Sequence, residues 1–282
     1  MRTRRAVASL LLAAMLLLTA CAASGTKKAA EAAELTVHCF DAGKADAILL
    51  TTADSAVLID AGEKGFGKTI LAYLAEHGVE KLDCLIVTHF DKDHVGGAAK
   101  VINSIPVDAV LQSNCPKDSE EYAKYVKALA NAGIEAETVG ETLTFTLGGV
   151  TYTVDPPRQA TYDADASNNS SLIVTVTNGA DRFLFMGDAQ SERLAEYLSG
   201  APAACDVLKV AHHGQDEPLL GELLEAVTPA YAVITSSEEE PESAAVTETL
   251  ERAGARVLLT REGAVTFRSG GNGVTLGVLP AA

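Results

Sequence analysis

Basic residues, cysteine spacing and repeats are what this 282-residue sequence has least of. Only 22 Lys and Arg stand against 38 Asp and Glu, for a formal charge of −16, and no basic run exceeds two residues. A chain that grips nucleic acid or anionic lipid through its surface normally shows basic clusters. The composition therefore argues against a polyanion-binding face and for a surface that repels polyanions. Five Cys occur, at 21, 39, 84, 115 and 205, with no CxxC spacing. A chain of this length buries a core without staples, so a disulfide scaffold is excluded as the organising device. No internal repeat is present, which removes solenoids and propellers.

The long apolar run is at the start, where Arg2, Arg4 and Arg5 precede an apolar stretch over 10–18 and small residues before Cys21. That is the layout of a secretory signal. Leu18-Thr19-Ala20-Cys21 resembles the bacterial lipobox, which implies that Cys21 is diacylated and becomes the new N-terminus. The expected organisation is a signal and lipobox over 1–21, a small and polar tether over 22–34, and one domain over 35–282. Multiple acyl chains would hold the protein on the extracytoplasmic side of a bacterial cell membrane, making that membrane its first partner. Removing the first 20 residues, which carry three Arg and no acid, takes −16 to −19.

Alternating patterns predict strands over 35–40, 47–52 and 56–59, a helix over 69–77 ended by Gly78, and a buried strand over 84–87. A helix over 98–104 follows, then an amphipathic one after Asp118, with Asp118 and Glu121 as a capping-box pair, Tyr122, Tyr125, Val126 and Leu129 at helical spacing, and Gly133 at its end. Glycine pairs and Asn-Gly punctuate two hairpins, over 143–154 and 171–186. The polar segment 155–169 between them reads as the rim of a site. Further strands at 207–211, 231–235, 256–259, 264–268 and 274–278 alternate with helices at 191–198, 219–227 and 244–253.

Chemistry concentrates where strands end. The stretch LDCLIVTHFDKDHVGG over 82–97 places His89, Asp91, Asp93 and His94 directly after an apolar run, and Asp60, Asp188 and His212 likewise follow predicted strands. In a layered α/β fold such ends converge at one edge, where ligands bind. Two His and two Asp within six positions are an inventory for divalent cations rather than for a solvated loop. Asp188, taken alone, reads equally well as a helix N-cap, and His213 as a satisfied neighbour of a ligand.

The motifs DAGKADAILL, VLIDAG, THFDKDHVGG, NNSSLIVTV, FLFMGD and VLKVAHHG, in that order, resemble those of metallo-β-lactamase-fold hydrolases, and in particular the hydrolase domain of ComEC-type competence proteins. The resemblance covers residues 35–278 and implies an α/β fold, the αββα four-layer sandwich. It implies one or two divalent ions, Zn2+ or Mn2+: His89 and Asp91 on one, Asp93, His94 and His212 on the other, Asp188 bridging, and Asp60 orienting the ligand loop. Asp91 stands where many members have His. An oxygen there favours Mn2+ or loosely held Zn2+ over tight structural Zn2+. The family's His between the hairpin strands is missing, and Asn168, Asn169 and Ser170 occupy its region as supporting groups.

The expected function is hydrolysis of a phosphodiester or related phosphoester, small or polymeric, by a metal-bound hydroxide. Asp93 is counted among the catalytic groups, and His213 or Lys44 as the acid that protonates the leaving oxygen. Nucleic acid is disfavoured as a partner by the net charge, and DNA uptake by this chain alone is not supported. Where the family pattern continues HHGS and later carries a Tyr-Gly-His-Pro turn, this chain has HHGQ and SSEEEP. The rival readings are a lactone, thioester or β-lactam hydrolase and a non-catalytic binding or regulatory lipoprotein.

Overall fold

Short apolar runs separated by glycine- and aspartate-rich turns assemble into two sheets in the computed structural model, which describes residues 32–277. Cys21, the signal and most of the expected tether lie outside the described residues. The chain begins as an antiparallel meander of β1 (Leu35–Cys39), β2 (Ile48–Thr51) and β3 (Ala56–Ile59). It then turns parallel, because helices now intervene: α1 (Gly67–Glu76), β4 (Cys84–Val87), α2 (Lys92–Val95), α3 (Ala98–Ile102), β5 (Val110–Gln112), α4 (Glu120–Ala132) and β6 (Glu137–Thr138). Parallel neighbours need such crossovers, whereas hairpins suffice for antiparallel ones.

The second sheet repeats this plan. Its antiparallel strands are β7 (Leu143–Leu147), β8 (Val150–Asp155), β9 (Ile173–Asn178) and β10 (Asp181–Phe185), with α5 (Ala166–Asn169) between β8 and β9. Parallel strands β11 (Val207–Lys209), β12 (Tyr231–Ile234) and β13 (Arg256–Leu259) follow, preceded in turn by α6 (Ser191–Ser199), α7 (Leu220–Val227) and α8 (Ala244–Arg252). Finally β14 (Val265–Ser269) and β15 (Val274–Leu276) return to the first sheet beside β1.

Three apolar layers separate four structural ones. Val37, Leu50, Ile86, Val154, Val174, Phe183 and Phe267 pack between the sheets. Leu58, Leu85 and Val87 turn the other way and meet Ile70, Leu74, Val101 and Leu129. On the far side Leu184, Leu208 and Ile234 meet Leu194, Leu223 and Leu250. β4 shows why its run is unbroken: Cys84 and Ile86 enter the central layer while Leu85 and Val87 enter an outer one. Burying each such aliphatic side chain contributes about 1.5–3 kcal/mol, and a one-residue slip would exchange the two faces. The result is the expected αββα sandwich.

Local differences from the sequence reading have local causes. The N-cap of α4 is Ser119, whose Oγ accepts from the Tyr122 amide at 3.2 Å, so Asp118 is not the cap. Tyr125 and Leu129 reach the core but Val126 is 44 % exposed, because four positions at helical spacing span more than one stripe. Strands β5 and β6, three and two residues long, are too short to show a pattern. Segment 155–169 ends in the single turn of α5, and Tyr162 Oη donates to Glu196 at 2.8 Å. Gly97 packs so closely on the turn after β3 that a Cβ there would lie 2.1 Å from the Ala61 carbonyl oxygen. This contact brings the β3 and β4 loops together. Cys39, Cys84, Cys115 and Cys205 are free thiols, and burial pushes Cys39, Cys84 and Cys205 up to about 12.

Candidate metal centre

Residues just beyond β3, β4, β10, β11 and β12 meet at one edge of the sandwich. Asp60, immediately after β3, sits in the left-handed region at φ 56°. Such a conformation costs roughly 1–3 kcal/mol for a non-glycine residue and persists where the surroundings over-determine it. Here the carboxylate accepts from the Thr88 amide at 2.8 Å, the Thr88 hydroxyl at 2.6 Å and His94 Nδ1 at 2.8 Å. Asp60 thus orients the ligand loop, and all its work is done away from the centre.

The imidazole tautomers follow from such partners. His94 gives its Nδ1 proton to Asp60, so its Nε2 carries a lone pair. His213 donates Nδ1–H to the Thr235 carbonyl at 3.0 Å and the Thr235 hydroxyl at 2.9 Å, and that hydroxyl donates onward to Asp46 at 2.7 Å. Its Nε2 is likewise left as an acceptor. His89 Nδ1 lies 3.2 Å from the Thr88 hydroxyl, whose own proton goes to Asp60, and 3.4 Å from Ser171 Oγ. His89 Nε2 is fully buried with no hydrogen-bond partner among the described residues. Three acceptor nitrogens therefore point into one space, and His94 Nε2 and His213 Nε2 face each other at 3.3 Å. Two ring nitrogens facing each other at this distance call for positive charge between them, a proton or a metal ion.

Carboxylates complete the set. Asp188 Oδ1 lies 3.2 Å from His94 Nε2, Asp188 Oδ2 3.2 Å from His213 Nε2, and Asp93 Oδ2 3.3 Å from His213 Nε2. Donors about 2.0 Å from a tetrahedral ion stand about 3.3 Å from one another. Asp93, His94, Asp188 and His213 match that spacing, and all their donor atoms lie within 4.8 Å of one another. The residues present fit a divalent cation.

Electrostatics show a demand for positive charge at the cluster, which protons on His94 and His213 or a metal ion can meet. Burial, reinforced by the neighbouring His94, pushes His89 down to about 4, so its imidazole is neutral at physiological pH. Burial opposes charge on His94 and His213, yet Asp188 and its neighbours outweigh it and raise both. Burial also opposes ionisation of Asp188 and Asp93, and the facing imidazoles more than reverse it. Behind the ligands Lys209, 1 % exposed, pairs with buried Asp46, donates to the Gly187 carbonyl at 3.1 Å and stands 3.8 Å from Asp188. Five carboxylates, Asp46, Asp60, Asp91, Asp93 and Asp188, against the ammonium groups of Lys209 and Lys117 leave the cluster three charges negative with neutral imidazoles.

The structure moves two of the expected site residues. His213, not His212, faces Asp188. Both sit in the left-handed region, at φ 53° and 48°, and this reversal after β11 turns the second imidazole inward. His212 faces the rim, with Nδ1 3.3 Å from Glu217 Oε1 and 3.1 Å from the Gln190 amide, and Nε2 3.4 Å from the Asn168 amide. His213 stands where His212 was expected, with Nδ1 on Thr235 and Nε2 among the carboxylates of Asp93 and Asp188. Lys44 pairs with Glu240 at 3.6 Å rather than turning to the cluster. Asn169 bonds the Ala164 carbonyl and the Arg193 amide, and Ser170 Oγ the Ser167 carbonyl, so both shape the loop. His89 and Asp91 stand beside the four-donor cluster, 4.0 Å apart, with His89 Nε2 4.0 Å from Asp188 Oδ2.

Sequence reasoning missed Asp46, Thr88, Lys117, Ser171, Lys209 and Thr235. Asp46 carried a signal, since it lies within DAGKADAILL, but the turn gave no strand end to place it. Ser171 Oγ accepts from the Asp188 amide at 3.0 Å, which ties down the loop bearing that carboxylate.

An αββα sandwich with imidazoles and carboxylates gathered at one edge defines a class. The chain belongs to the metallo-β-lactamase superfamily, whose family model matches residues 41–236. Among characterised proteins it is similar to ComE operon protein 3 of Bacillus subtilis, 27 % identical over 219 residues, which are 76 % of this chain and 28 % of that protein. Competence protein ComA of Neisseria gonorrhoeae is 28 % identical over 248 residues, 86 % of this chain and 33 % of its own length. This chain thus spans about a third or less of these relatives. In fold it is similar to the metallo-beta-lactamase fold protein YhfI from Bacillus subtilis, with a TM-score of 0.58 at 11 % identity, covering 84 % of this chain and 100 % of that one. Among the described residues no helix is long and apolar enough to cross a membrane.

Proposed function

We propose that this protein is a metal-dependent hydrolase of phosphoesters, foremost phosphodiesters, held at the cell envelope through lipid on Cys21. The observation that carries the reading is the convergence of the His94 and His213 Nε2 atoms, each ring with its Nδ1 proton engaged elsewhere, on the carboxylates of Asp93 and Asp188, with His89 Nε2 4.0 Å from Asp188. A divalent ion there supplies a Lewis acid and a water ionised near neutral pH. The chain's own residues do the rest. Asp60, Thr88 and Thr235 hold the imidazoles in one tautomer. Ser171 fixes Asp188, and Asp93, at the mouth of the cluster, is placed to accept a proton from water. Zn2+ and Mn2+ both suit a mixed imidazole and carboxylate set. The similarity to a protein named for competence supports a phosphodiester, while the −16 charge favours a small or locally presented substrate over a long polyanion.

Purified protein lacking residues 1–21 is expected to cleave bis(p-nitrophenyl) phosphate with added Mn2+ or Zn2+, to lose the activity in chelator, and to lose at least about a hundredfold in His94→Ala. Inertness under every divalent metal tried overturns the reading. Turnover of nitrocefin, a lactone or a thioester in preference would replace the phosphoester by an acyl substrate. For the anchor, radiolabelled palmitate is expected in the wild-type protein expressed in a bacterial host and absent from Cys21→Ser, which leaves the membrane fraction. Equal labelling of both removes the lipid.

A further inference from the structure

Lys117, in the loop between β5 and α4, reaches the mouth of the centre and pairs through its ammonium with Asp91 Oδ1. Ser167 Oγ donates to the same oxygen. His89 Nε2 stands 4.0 Å from that oxygen and 4.0 Å from Asp188 Oδ2, so these three atoms border a second position beside the four-donor cluster. The donors at this position are few. One of its two carboxylates is already engaged, and 167–171, Ser-Asn-Asn-Ser-Ser, brings no imidazole or thiolate. Asn169 and Ser170 spend their polar atoms on the loop itself, and the Asn168 amide lies against His212.

The charge left at this position suits a monovalent group better than a second divalent ion. An ammonium on a flexible stem is a compact point charge that can reach Asp91 from a surface loop, and at this separation it would repel a second metal ion while attracting an anionic oxygen. We propose that the Lys117 ammonium stands in for a second divalent cation: the centre holds one ion tightly, at Asp93, His94, Asp188 and His213, and Lys117 offers the other positive charge to the anionic oxygens of the substrate. The inference rests on the metal-dependent reading above, and ion counting tests the two separately.

Metal-free protein titrated with Mn2+ alone, followed by native mass spectrometry and by electron paramagnetic resonance, is the experiment. Wild type is expected to take up one ion and to show the resolved six-line spectrum of isolated Mn2+. In Lys117→Met, with Asp91 released, a second ion is expected to bind on the order of tenfold more tightly than in wild type and to broaden the spectrum by pairing. Lys117→Arg, which keeps the charge, is expected to stay at one ion. Lys117 sits on a partly exposed loop, so these variants leave the core untouched, and the first ion reports on folding. Two ions of similar affinity in wild type, or a second-ion affinity unchanged in Lys117→Met, overturns this inference alone. A wild type that binds no ion overturns the metal reading and this inference with it.

Discussion

His213→Ala is expected to lower both metal affinity and phosphodiester hydrolysis by at least about a hundredfold, whereas His212→Ala is expected to stay within a few-fold of wild type. The two residues are adjacent and chemically identical, so position alone separates them. His213 Nε2 lies 3.2 Å from Asp188 and 3.3 Å from Asp93 and His94, with Nδ1 locked on Thr235. Removing it takes a donor from the cluster and leaves the buried Asp188 and the partly buried Asp93 facing a void. His212 is 22 % exposed in its side chain and shares its ring nitrogens with Glu217, Gln190 and Asn168. Isothermal titration with Zn2+ and steady-state kinetics on both variants provide the check. Loss in His212→Ala with His213→Ala retained would mean that the turn after β11 runs in the opposite register.

That pair also shows what a sequence can carry. Asp60, the His89 to His94 cluster and Asp188 each follow an apolar run closely, and the structure brings Asp93, His94 and Asp188 together, with His89 4.0 Å from Asp188 and Asp60 hydrogen-bonded behind His94. His212 and His213 lie three and four residues beyond the last residue of a three-residue strand. Two consecutive left-handed residues decide which one turns inward, and nothing in their composition announces that conformation, which non-glycine residues seldom adopt. Lys209 was hidden for another reason. Inside VLKVAHHG it reads as a polar break in a strand, yet it is buried because Asp46, 163 positions earlier, waits at the same sheet edge. Pairings of that kind come from the packing of the two sheets and have no local pattern. The αββα architecture, by contrast, was implied by the resemblance of six ordered motifs, and the strands and helices long enough to show alternation or helical spacing were legible one by one.

The buried Lys209–Asp46 pair is where stability and the site are most tightly joined. Lys209→Met keeps most of the stem's volume but strips the cation from Asp46 and from the neighbourhood of Asp188, and is expected to destabilise the domain by about 3–5 kcal/mol at pH 7. Adding Asp46→Asn should restore a large part of that loss, because removing both charges no longer leaves one of them unpaired. The pH dependence has a defined sign. Burial opposes the Asp46 charge, but Lys209 first, then His94 and His213, hold its carboxyl below the ordinary 3.8. Burial likewise opposes the Lys209 charge, and Asp46 above all holds it above the ordinary 10.5. The pair's contribution is therefore full between those values, and is lost as pH falls through the depressed value of Asp46 or rises through the elevated value of Lys209. In Lys209→Met burial acts on Asp46 without that ammonium, so the variant regains stability by taking up a proton as the solution is acidified from pH 7 toward pH 4. Urea unfolding of wild type, Lys209→Met and the double variant in chelator across this range should show the gap between the first two narrowing with acid. A gap below about 1 kcal/mol at pH 7, or one that stays constant with pH, would mean that water or backbone dipoles, not the ammonium, carry the buried carboxylate, and the centre would then owe its shape to the Asp60–His94 and Thr235–His213 hydrogen bonds alone.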